Sequence, residues 1–476
     1  MLDNPLLVYD DISEAIKKSP MIKLDRIAKK HGIKCQVFGK CDFFLPAGSS
    51  KDRIAYSMVV EAEKRGDIKP GDTLVEGTSG NTGLGLALVS IIRGYKLIIT
   101  IPDKMSMEKI NTLRGLGAEV IVCPTAVPHS HPDSYTTVAK RIAKQPNHFY
   151  ISQYFNLDNR LAHIQTTGPE IWDQMEGKID WMFVGAGTCG TISGLGLYLH
   201  GRDPEIKVVG IDPIGSNLAM PAELNEKKKM YVVEGIGQSI IPGNMDYSQV
   251  KDWVKVEDKD TFVMARELIS VEGMLVGGSS GSVVHGAFDY LKKNGLADNE
   301  DLRVMIFLPD TIRNYMTKLL DDAWMVGNQY YPVEHLHTED HPLSKKTLKD
   351  VSGLVPMPYY DARLTVNDCF DLFKKNYSII PIRAQGKITG VVTKESLMTN
   401  IVAKELHGMS SASHCTQLSY LSVPMDTPLD VVAKMLKSQP AIFAMNKDEN
   451  DRIRSIFVIT QNDILEYMHE AMKETI

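Results

Sequence analysis

Residues 73–101, TLVEGTSGNTGLGLALVSIIRGYKLIITI, form the stretch that decides the fold of this chain. A run that suits a strand is followed by small residues, an apolar helical pattern, a glycine and a second strand-like run. The glycine after the helical pattern is typical of a helix C-terminus. The stretch therefore predicts a strand over 73–76, a loop over 77–83, a helix over 84–93 and a strand over 96–101.

The same plan recurs at residues 181–211, so it is a repeated feature of the chain. Here the pattern predicts a strand over 181–184, a glycine-rich loop over 185–191, a helix up to His200 and a strand over 207–211. Strands that are apolar throughout and alternate with helices indicate parallel sheets covered on both faces. We therefore expect an α/β fold with doubly wound parallel sheets, whose ligands bind beyond the carboxyl ends of the strands.

The overall composition limits the class of protein. The chain has 476 residues, which exceeds one hydrophobic core, and its net charge of −6 without long runs of one sign argues against nucleic-acid binding. No segment approaches the ~20 apolar residues that span a bilayer, and the N-terminus lacks the pattern of a signal peptide. The six cysteines are scattered without metal-ligand spacing, which favours reduced thiols, a cytoplasmic location and no metal.

The composition changes after Trp324. Residues 327–349 are polar and without a period, and they predict a linker. Beyond it, a helix near 366–375 precedes strand-like residues within 379–397, and a helix near 429–437 precedes a similar run within 441–465. This repetition indicates an internally duplicated module. The chain is thus predicted to contain a domain over 1–326, a linker over 327–349 and an α+β module over 350–476.

Lys51 lies in the first of three loops that carry polar chemistry, PAGSSKDR at residues 46–53. The apolar spacing that follows predicts a helix ending near Arg65, with Ser49 or Ser50 as its N-cap. A lysine at a helix N-terminus opposes the helix dipole, at a cost of about 0.3–1 kcal/mol. The same field favours the uncharged amine, which suits a lysine that forms a Schiff base. An ordinary surface lysine is the alternative interpretation.

The second loop is GTSGNTG at residues 77–83, between a predicted strand and a predicted helix. Small residues let backbone N–H groups converge there, and a helix N-terminus favours an anion. Thr78, Ser79 and Thr82 add hydroxyl donors. The loop therefore suits a carboxylate or a phosphate, and a tight strand–helix turn is the alternative.

The third loop, GAGTCG at residues 185–190, matches the G-x-G-x-x-G pattern of dinucleotide-binding proteins. Asp212 follows at the end of the next strand, where a ribose-binding acid is expected, so a nicotinamide enzyme is one interpretation. The hydroxyls of Thr188 and Thr191 suit a terminal phosphate better, and a monophosphate cofactor would give all three loops a role. Cys189 has no candidate base nearby in sequence and is interpreted as a small loop residue.

Six strings occur in the order in which fold-type II pyridoxal-phosphate enzymes have them, and the chain resembles that group over roughly residues 8–326. They are GSSKDR, EGTSGNTG, GAGTCGTISG, VEGIG, GGSSGS and LPDTIRNYMTKLL. VEGIG and RNYMTK point to the cystathionine β-synthase family within the group. The resemblance implies two doubly wound parallel-sheet subdomains, and the C-terminal module resembles a pair of CBS domains, the Bateman module.

The resemblance also implies roles for individual residues. Lys51 would bind pyridoxal 5′-phosphate as a Schiff base, Asn81 would contact the 3′-oxygen of its ring, and Ser279 would contact the ring nitrogen. The cofactor phosphate would lie against Gly187, Thr188, Cys189, Gly190 and Thr191. The substrate carboxylate would bind Thr78, Ser79 and Thr82, and the substrate pocket would be bordered by Gln153, Tyr154 and Gly237.

The implied reaction is a β-replacement that condenses L-serine with L-homocysteine to L-cystathionine and water. A serine hydroxyl at the ring nitrogen does not compensate a positive charge, so we expect an unprotonated ring and elimination rather than transamination. Lys51 would remove and return the Cα proton. Cysteine synthesis from O-acetylserine and sulfide is the nearest alternative, dual activity is another, and serine or threonine dehydration is a third.

Departures from the family pattern bear on cofactor and substrate. The haem-bearing animal members resemble this chain but have Cys and His ligands in an N-terminal extension, whereas no Cys or His precedes Ser19 here, so we expect no haem. Gln238 stands where animal members often have tyrosine, which leaves the choice of thiol open. A homodimer or higher homo-oligomer is expected.

The C-terminal module suggests a regulatory site. CBS-domain pairs commonly bind adenosine ligands through an acidic residue at the start of each final helix. Asp463, after Thr460, occupies that place in the second unit, and Ser396 occupies it in the first. We predict one competent site, for S-adenosylmethionine or an adenine nucleotide. The alternatives are a helix N-cap role for Asp463 and a module that is structural or dimer-forming.

Overall fold

The computed structural model describes residues 8–473 with the exception of 104, 125–129, 228, 340, 358–359, 362, 376, 378, 385–386, 405, 417–419, 440 and 448–452. The chain forms two compact units. The first extends to Leu320 and the second begins at Asp321. This division lies a few residues before the predicted domain end at residue 326.

Ten strands of the first unit form two sheets in the described part of the chain. They are β1 (Met21–Lys23), β2 (Gln36–Cys41), β3 (Thr73–Gly77), β4 (Lys96–Pro102), β5 (Glu119–Cys123), β6 (His148–Tyr150), β7 (Trp181–Gly185), β8 (Lys207–Pro213), β9 (Asp252–Val256) and β10 (Arg303–Leu308). The larger sheet has the order β1-β2-β10-β7-β8-β9 and the smaller one β5-β4-β3-β6. All neighbouring strands are parallel except β1 and β2.

Helices connect these strands as the alternating pattern predicts. They are α1 (Asp25–Lys30), α2 (Lys51–Arg65), α3 (Asn81–Arg93), α4 (Met107–Gly115), α5 (Tyr135–Ile142), α6 (Asp158–Ala162), α7 (Gly168–Gln174), α8 (Gly190–His200), α9 (Asp258–Glu267) and α10 (Gly278–Lys293). The predicted units at 73–101 and 181–211 are confirmed to within a few residues. The helix predicted after residue 83 begins earlier, at Asn81, because the turn is completed by Gly80 at φ 117°.

The larger sheet is buried on both faces. Successive residues of β7 point to opposite sides, so that Phe183 packs into one core cluster while Met182 and Val184 pack into another. A third cluster, which includes Leu74 and Ile99, lies against the smaller sheet. This two-faced burial explains why the strands are apolar throughout instead of alternating, and it confirms the predicted doubly wound parallel sheets.

The second unit contains a repeated topology. Its strands are β11 (Tyr360–Asp361), β12 (Ile379–Ala384), β13 (Lys387–Thr393), β14 (Ser422–Pro424), β15 (Ala441–Lys447) and β16 (Ile453–Thr460), and its helices are α11 (Asp322–Gly327), α12 (Val366–Lys374), α13 (Lys394–Lys404), α14 (Leu429–Ser438) and α15 (Gln461–Lys473). In both β11-β12-β13 and β14-β15-β16 the first pair is parallel and the second antiparallel. The internal duplication is therefore confirmed.

Two findings bear on the expected class of protein. None of the helices in the described part of the chain combines the length and apolar content needed to cross a bilayer. All six cysteines are buried and none is joined to another by a disulfide bond.

Candidate active site

The carboxyl ends of β3, β7 and β10 meet around a cavity in the first unit. The cavity lies where an open parallel sheet is expected to bind ligands. It brings together residues from all three loops and from the start of α10. Its lining comprises Ser50, Lys51, Asn81, Gly185, Gly187, Thr188, Cys189, Thr191, Gly235, Ile236, Ser279, Phe307, Pro309 and Asp310.

Lys51 is the first residue of α2 and reaches this cavity because its loop pairs with the chain after β10. The backbone N–H of Ser50 donates to the Pro309 carbonyl at 2.8 Å, and that of Thr311 donates to the Gly48 carbonyl at 2.9 Å. Burial lowers the pKa of the Lys51 amine, while the nearby carboxylate of Asp310 opposes the shift. The lowered pKa has the predicted direction, with burial as its largest cause.

The two candidate N-cap serines differ in what their hydroxyls contact. Ser49 Oγ accepts the backbone N–H of Lys51 at 3.3 Å. Ser50 occupies the N-cap position, but its hydroxyl caps no backbone group and instead accepts from Lys51 Nζ at 3.2 Å. The prediction that the Ser50 side chain caps the helix is therefore wrong, because its hydroxyl faces the Lys51 amine.

Asn81 and Ser279 are held by Asp310, a residue that sequence reasoning missed. Asn81 Nδ2 donates to Asp310 Oδ2 at 2.8 Å, and Ser279 Oγ donates to Asp310 Oδ1 at 3.4 Å. Burial raises the pKa of Asp310, whereas Lys109, Tyr315 and Asn81 stabilise its charged form. The only signal in the sequence was its place directly after the apolar run of β10, where the carboxyl end of a parallel strand faces the site.

The loop between β7 and α8 presents backbone and hydroxyl groups to the cavity. A Cβ on Gly187 would lie 2.4 Å from the Gly235 carbonyl oxygen, so only glycine allows this close approach. Cys189 has φ 64°, a left-handed conformation that costs a non-glycine residue about 1–2 kcal/mol. Gly190 begins α8, whose first N–H groups lack partners within the helix and would suit an anion bound at this position.

The two threonines of this loop are oriented by buried partners that the sequence did not reveal. Asn159 Nδ2 donates to Thr188 Oγ1 at 3.0 Å, which leaves the Thr188 hydrogen available for another acceptor. Thr191 Oγ1 lies 3.1 Å from His163 Nε2. Burial lowers the pKa of His163 well below its usual range, which favours the neutral imidazole.

The loop after β3 supplies the predicted substrate residues, none of which lines the cavity itself. Thr82 Oγ1 donates to Gln153 Oε1 at 2.6 Å, and Thr78 Oγ1 accepts the Gly80 N–H at 3.1 Å. Ser79 is half-buried and has no side-chain hydrogen bond to the residues that the structure describes.

The remaining predicted pocket residues lie on two neighbouring segments. The Tyr154 hydroxyl oxygen lies 3.0 Å from the Tyr135 hydroxyl oxygen and accepts a hydrogen bond from Gln238 Nε2 at 3.4 Å. Gly237 has φ 81°, and its N–H donates to the Ala186 carbonyl at 2.7 Å. This bond ties the segment of VEGIG to the glycine-rich loop after β7.

Glu234, which precedes the cavity-lining residue Gly235, belongs to a buried cluster of ion pairs. Glu234 Oε2 meets Lys109 Nζ at 2.8 Å, and Glu234 Oε1 meets Lys318 Nζ at 2.6 Å. Although burial opposes it, the attraction of the two lysines lowers the pKa of Glu234 to about 2. The cluster fixes the residue that precedes Gly235, whose carbonyl contacts the glycine-rich loop.

Two alternatives from the sequence lose support in the structure. The fully buried Asp212 carboxylate pairs with Lys255 Nζ at 2.7 Å and accepts the Ala219 N–H, so it is not directed at a ribose. Burial raises the pKa of the Cys189 thiol, which disfavours the thiolate that a nucleophile needs.

The predicted regulatory residues lie where β16 ends and α15 begins, with Thr460 as the last residue of the strand and Asp463 in the first turn of the helix. Asp463 Oδ2 accepts the Thr460 N–H at 2.7 Å and its hydroxyl at 2.6 Å. At the corresponding place in the first repeat, Ser396 Oγ accepts the Thr393 N–H at 2.9 Å and donates to the Thr393 carbonyl at 3.1 Å. The two repeats thus share one turn geometry, with a carboxylate in one and a hydroxyl in the other.

Comparison with known proteins identifies relatives of this arrangement. The family described as "Pyridoxal-phosphate dependent enzyme" matches residues 12–310. A protein named cystathionine beta-synthase from Dictyostelium discoideum is 38% identical over 481 residues, covering 98% of this chain and 94% of the relative. A protein named cysteine synthase 3 from Caenorhabditis elegans is 40% identical over 284 residues, covering 60% of this chain and 82% of the relative.

The first unit also resembles solved structures. The crystal structure of a hydrogen sulfide-producing enzyme from Fusobacterium nucleatum superposes with a TM-score of 0.60 at 32% identity, covering 65% of this chain and all of the other.

Proposed function

The chain belongs to the pyridoxal-phosphate dependent enzymes, within the cystathionine β-synthase family, and we propose that it condenses L-serine with L-homocysteine to L-cystathionine and water. The observation that carries the proposal is Lys51, a half-buried lysine whose amine has a lowered pKa, in a cavity that also contains a glycine- and threonine-rich loop. The Dictyostelium relative, matched over nearly its whole length, has the name of this activity.

The residues of the cavity fit pyridoxal phosphate. A lysine amine suits the aldehyde, and the start of α8 with Thr188 and Thr191 suits the dianionic phosphate. Asn81 would contact the ring oxygen, Ser279 the ring nitrogen, and the loop from Gly187 to Thr191, including Cys189 and Gly190, the phosphate. When bound, the cofactor supplies an electron sink for a bond broken at Cα.

The side chains of the chain perform the proton transfers and the positioning. Lys51 Nζ would take the Cα proton of serine and return it after the thiol has added, and its lowered pKa keeps part of the amine uncharged for this purpose. Ser279 offers the ring nitrogen a neutral hydroxyl rather than a carboxylate, which favours loss of the β-substituent over transamination.

Substrate binding would use the loop after β3. Thr78, Ser79 and Thr82 would surround the substrate carboxylate. The hydroxyls of Thr78 and Ser79 would donate to it, and the start of α3 would add backbone donors. The bond between Thr82 and Gln153 holds both side chains in place. Gln153, Tyr154 and Gly237 would border the site.

A second reaction, cysteine synthesis from O-acetylserine and sulfide, has one observation in its favour. The relative named cysteine synthase 3 is 40% identical to this chain over 284 residues. Both reactions need the same amine and the same cavity, and they differ in the leaving group and the thiol. Dual activity therefore remains part of the proposal.

The proposal is tested by product analysis with the purified protein after addition of pyridoxal phosphate. We expect cystathionine from serine and homocysteine, with cysteine from O-acetylserine and sulfide measured in parallel. Lys51→Ala should abolish the visible absorbance of bound cofactor and lower turnover by about 10³-fold or more. Lys64→Ala, at a side chain that is 64% exposed, is the control and should behave as wild type. Normal turnover by Lys51→Ala would overturn the proposal.

For the second unit we propose a CBS-domain pair that binds S-adenosylmethionine or an adenine nucleotide at Thr460 and Asp463. Support comes from the repeated topology and from a carboxylate at the start of α15. Ser396, fully engaged with Thr393, lacks the charge to hold a ribose. A homo-oligomer, a cytoplasmic location and the absence of haem stay predictions.

A further inference from the structure

Asp310 lines the cavity and contacts Asn81 and Ser279, yet the proposed function gives it no part in binding the cofactor. It follows Pro309 directly after β10, lines the cavity with Lys51 and is 1% exposed. A buried carboxylate without partners is strongly unfavourable, so its hydrogen bonds define what it does there.

The partners of Asp310 fix the direction of each hydrogen bond. Asn81 Nδ2 donates to Asp310 Oδ2 at 2.8 Å, and Lys109 and Tyr315 favour the charged, acceptor form of this carboxylate, so the N–H side of the Asn81 amide faces Asp310. Asn314 Nδ2 donates to Asn81 Oδ1 at 3.2 Å and holds the opposite end of the amide. Together these contacts exclude the flipped amide, because flipping would place carbonyl against carboxylate.

A second chain of bonds keeps Asp310 itself in place. The Lys109 ammonium can only donate, and its Nζ lies 3.0 Å from the Tyr315 hydroxyl oxygen. The Tyr315 hydroxyl hydrogen is therefore left for Asp310 Oδ2, with which it forms a hydrogen bond. Lys109 is in turn held by Glu234 at 2.8 Å. Because the lysine ammonium can only donate, the hydrogen bonds run from Lys109 to Tyr315 and from Tyr315 to Asp310.

From this arrangement we propose that Asp310 is a positioning residue, which orients the Asn81 amide so that an N–H group faces the ring oxygen of the cofactor. The amide has two N–H hydrogens, and Asp310 uses one of them. If the amide were flipped, its carbonyl oxygen would face the negatively charged ring oxygen instead. The inference rests on the contact between Asn81 and the cofactor proposed above.

The test compares Asp310→Asn, Asn81→Ala and the double variant. Asparagine keeps the shape of Asp310 but offers both donor and acceptor, so it no longer selects one amide orientation. We expect Asp310→Asn to raise the dissociation constant of pyridoxal phosphate by about 10-fold, from the loss of a charged hydrogen bond, and to move the visible absorbance maximum. In the Asn81→Ala background the same substitution should have a clearly smaller effect on both quantities, limited to what passes through the contact between Asp310 and Ser279.

The outcomes separate this inference from the proposed function. Wild-type affinity and absorbance in Asp310→Asn, or effects of the two substitutions that add in full, would overturn it. Wild-type behaviour of Asn81→Ala would overturn the Asn81 contact and the inference with it, while leaving the Lys51 result untouched.

Two further variants guard against a general loss of structure. Asp212→Asn removes another fully buried carboxylate of the same unit and should leave cofactor affinity within about twofold of wild type, as expected of an independent site. Should Asp310→Asn not fold, Asn314→Ala removes only the donor to Asn81 Oδ1. Asn314→Ala should shift cofactor affinity and absorbance in the direction expected for Asp310→Asn, but by a smaller amount. Wild-type affinity and absorbance in Asn314→Ala would contradict the inference.

Discussion

Arg53 and Glu170 are joined by two parallel hydrogen bonds, Nη1 to Oε1 at 2.7 Å and Nη2 to Oε2 at 2.8 Å. Arg53 also contacts Asp42 through Nε and Nη2, each at 3.0 Å, and is 2% exposed. It lies in the first turn of α2, next but one to Lys51. The pair therefore anchors the helix start that carries the reactive amine.

Arg53→Lys should destabilise the first unit by about 3 kcal/mol, because a lysine cannot make the paired bonds to Glu170 and leaves the buried Asp42 Oδ2 without the donor that Arg53 Nε supplies. Urea denaturation followed by tryptophan fluorescence measures the change. Arg65→Lys is the matched control on the same helix. Arg65 is 46% exposed where it pairs with Asp67, so its loss should cost less than about 1 kcal/mol. Equal effects would contradict the anchoring role of Arg53.

Thr188→Val should weaken cofactor binding by about 3–10-fold. Valine keeps the volume but removes the hydroxyl proposed to reach the phosphate, and it leaves Asn159 Nδ2 without this acceptor. Titration of cofactor-free protein with pyridoxal phosphate gives the dissociation constant. Thr112→Val, on an exposed helix surface, should leave it unchanged. Unaltered affinity of Thr188→Val would exclude a phosphate contact by this hydroxyl.

Glu76→Gln should change the pH dependence of stability. Burial raises the pKa of this carboxyl to about 8, against an ordinary value of 4.5, although the N–H groups of Ser152 and Gln153 favour its charged form. The folded state therefore keeps a proton that the unfolded state loses, and wild-type stability falls as the pH rises from about 5 to 8.

Glutamine does not titrate, so the variant lacks this pH-dependent loss of folding stability, which amounts to ~1.4 kcal/mol per pH unit for one group. Melting temperatures of wild type and Glu76→Gln, measured from pH 5 to 8, should diverge with increasing pH in favour of the variant. Parallel pH profiles would show that Glu76 titrates normally.

Asp463→Ala should weaken the binding of S-adenosylmethionine to the second unit by about 10-fold or more, since the ribose diol would lose a charged acceptor. Isothermal titration of the full chain measures the effect, with adenine nucleotides as alternative ligands. Ser396→Ala, the equivalent position in the first repeat, is the control and should bind as wild type. No heat from any of these ligands with the wild-type chain would remove the sensor hypothesis.

Much of the fold was predictable because it depends on local pattern. The strand and helix of 73–101 follow from apolar runs, small loop residues and Gly94, and the duplication of the second unit follows from similar strings at similar spacing. The hydrogen-bond partner of the Ser50 hydroxyl was not predictable. A serine at a helix start suits either a backbone N–H or a neighbouring amine, and only the position of Lys51 Nζ decides between them.

The residue order by itself determined the parallel sheets, the glycines that allow close backbone approach, and the presence of a lysine, a glycine-rich loop and several hydroxyls near strand ends. Only the tertiary structure decided which distant residues share one buried environment. Asp310 and Asn81 are 229 positions apart, and Thr188 and Asn159 are 29 positions apart. Burial and hydrogen-bond direction arise from packing between elements, which no local pattern encodes.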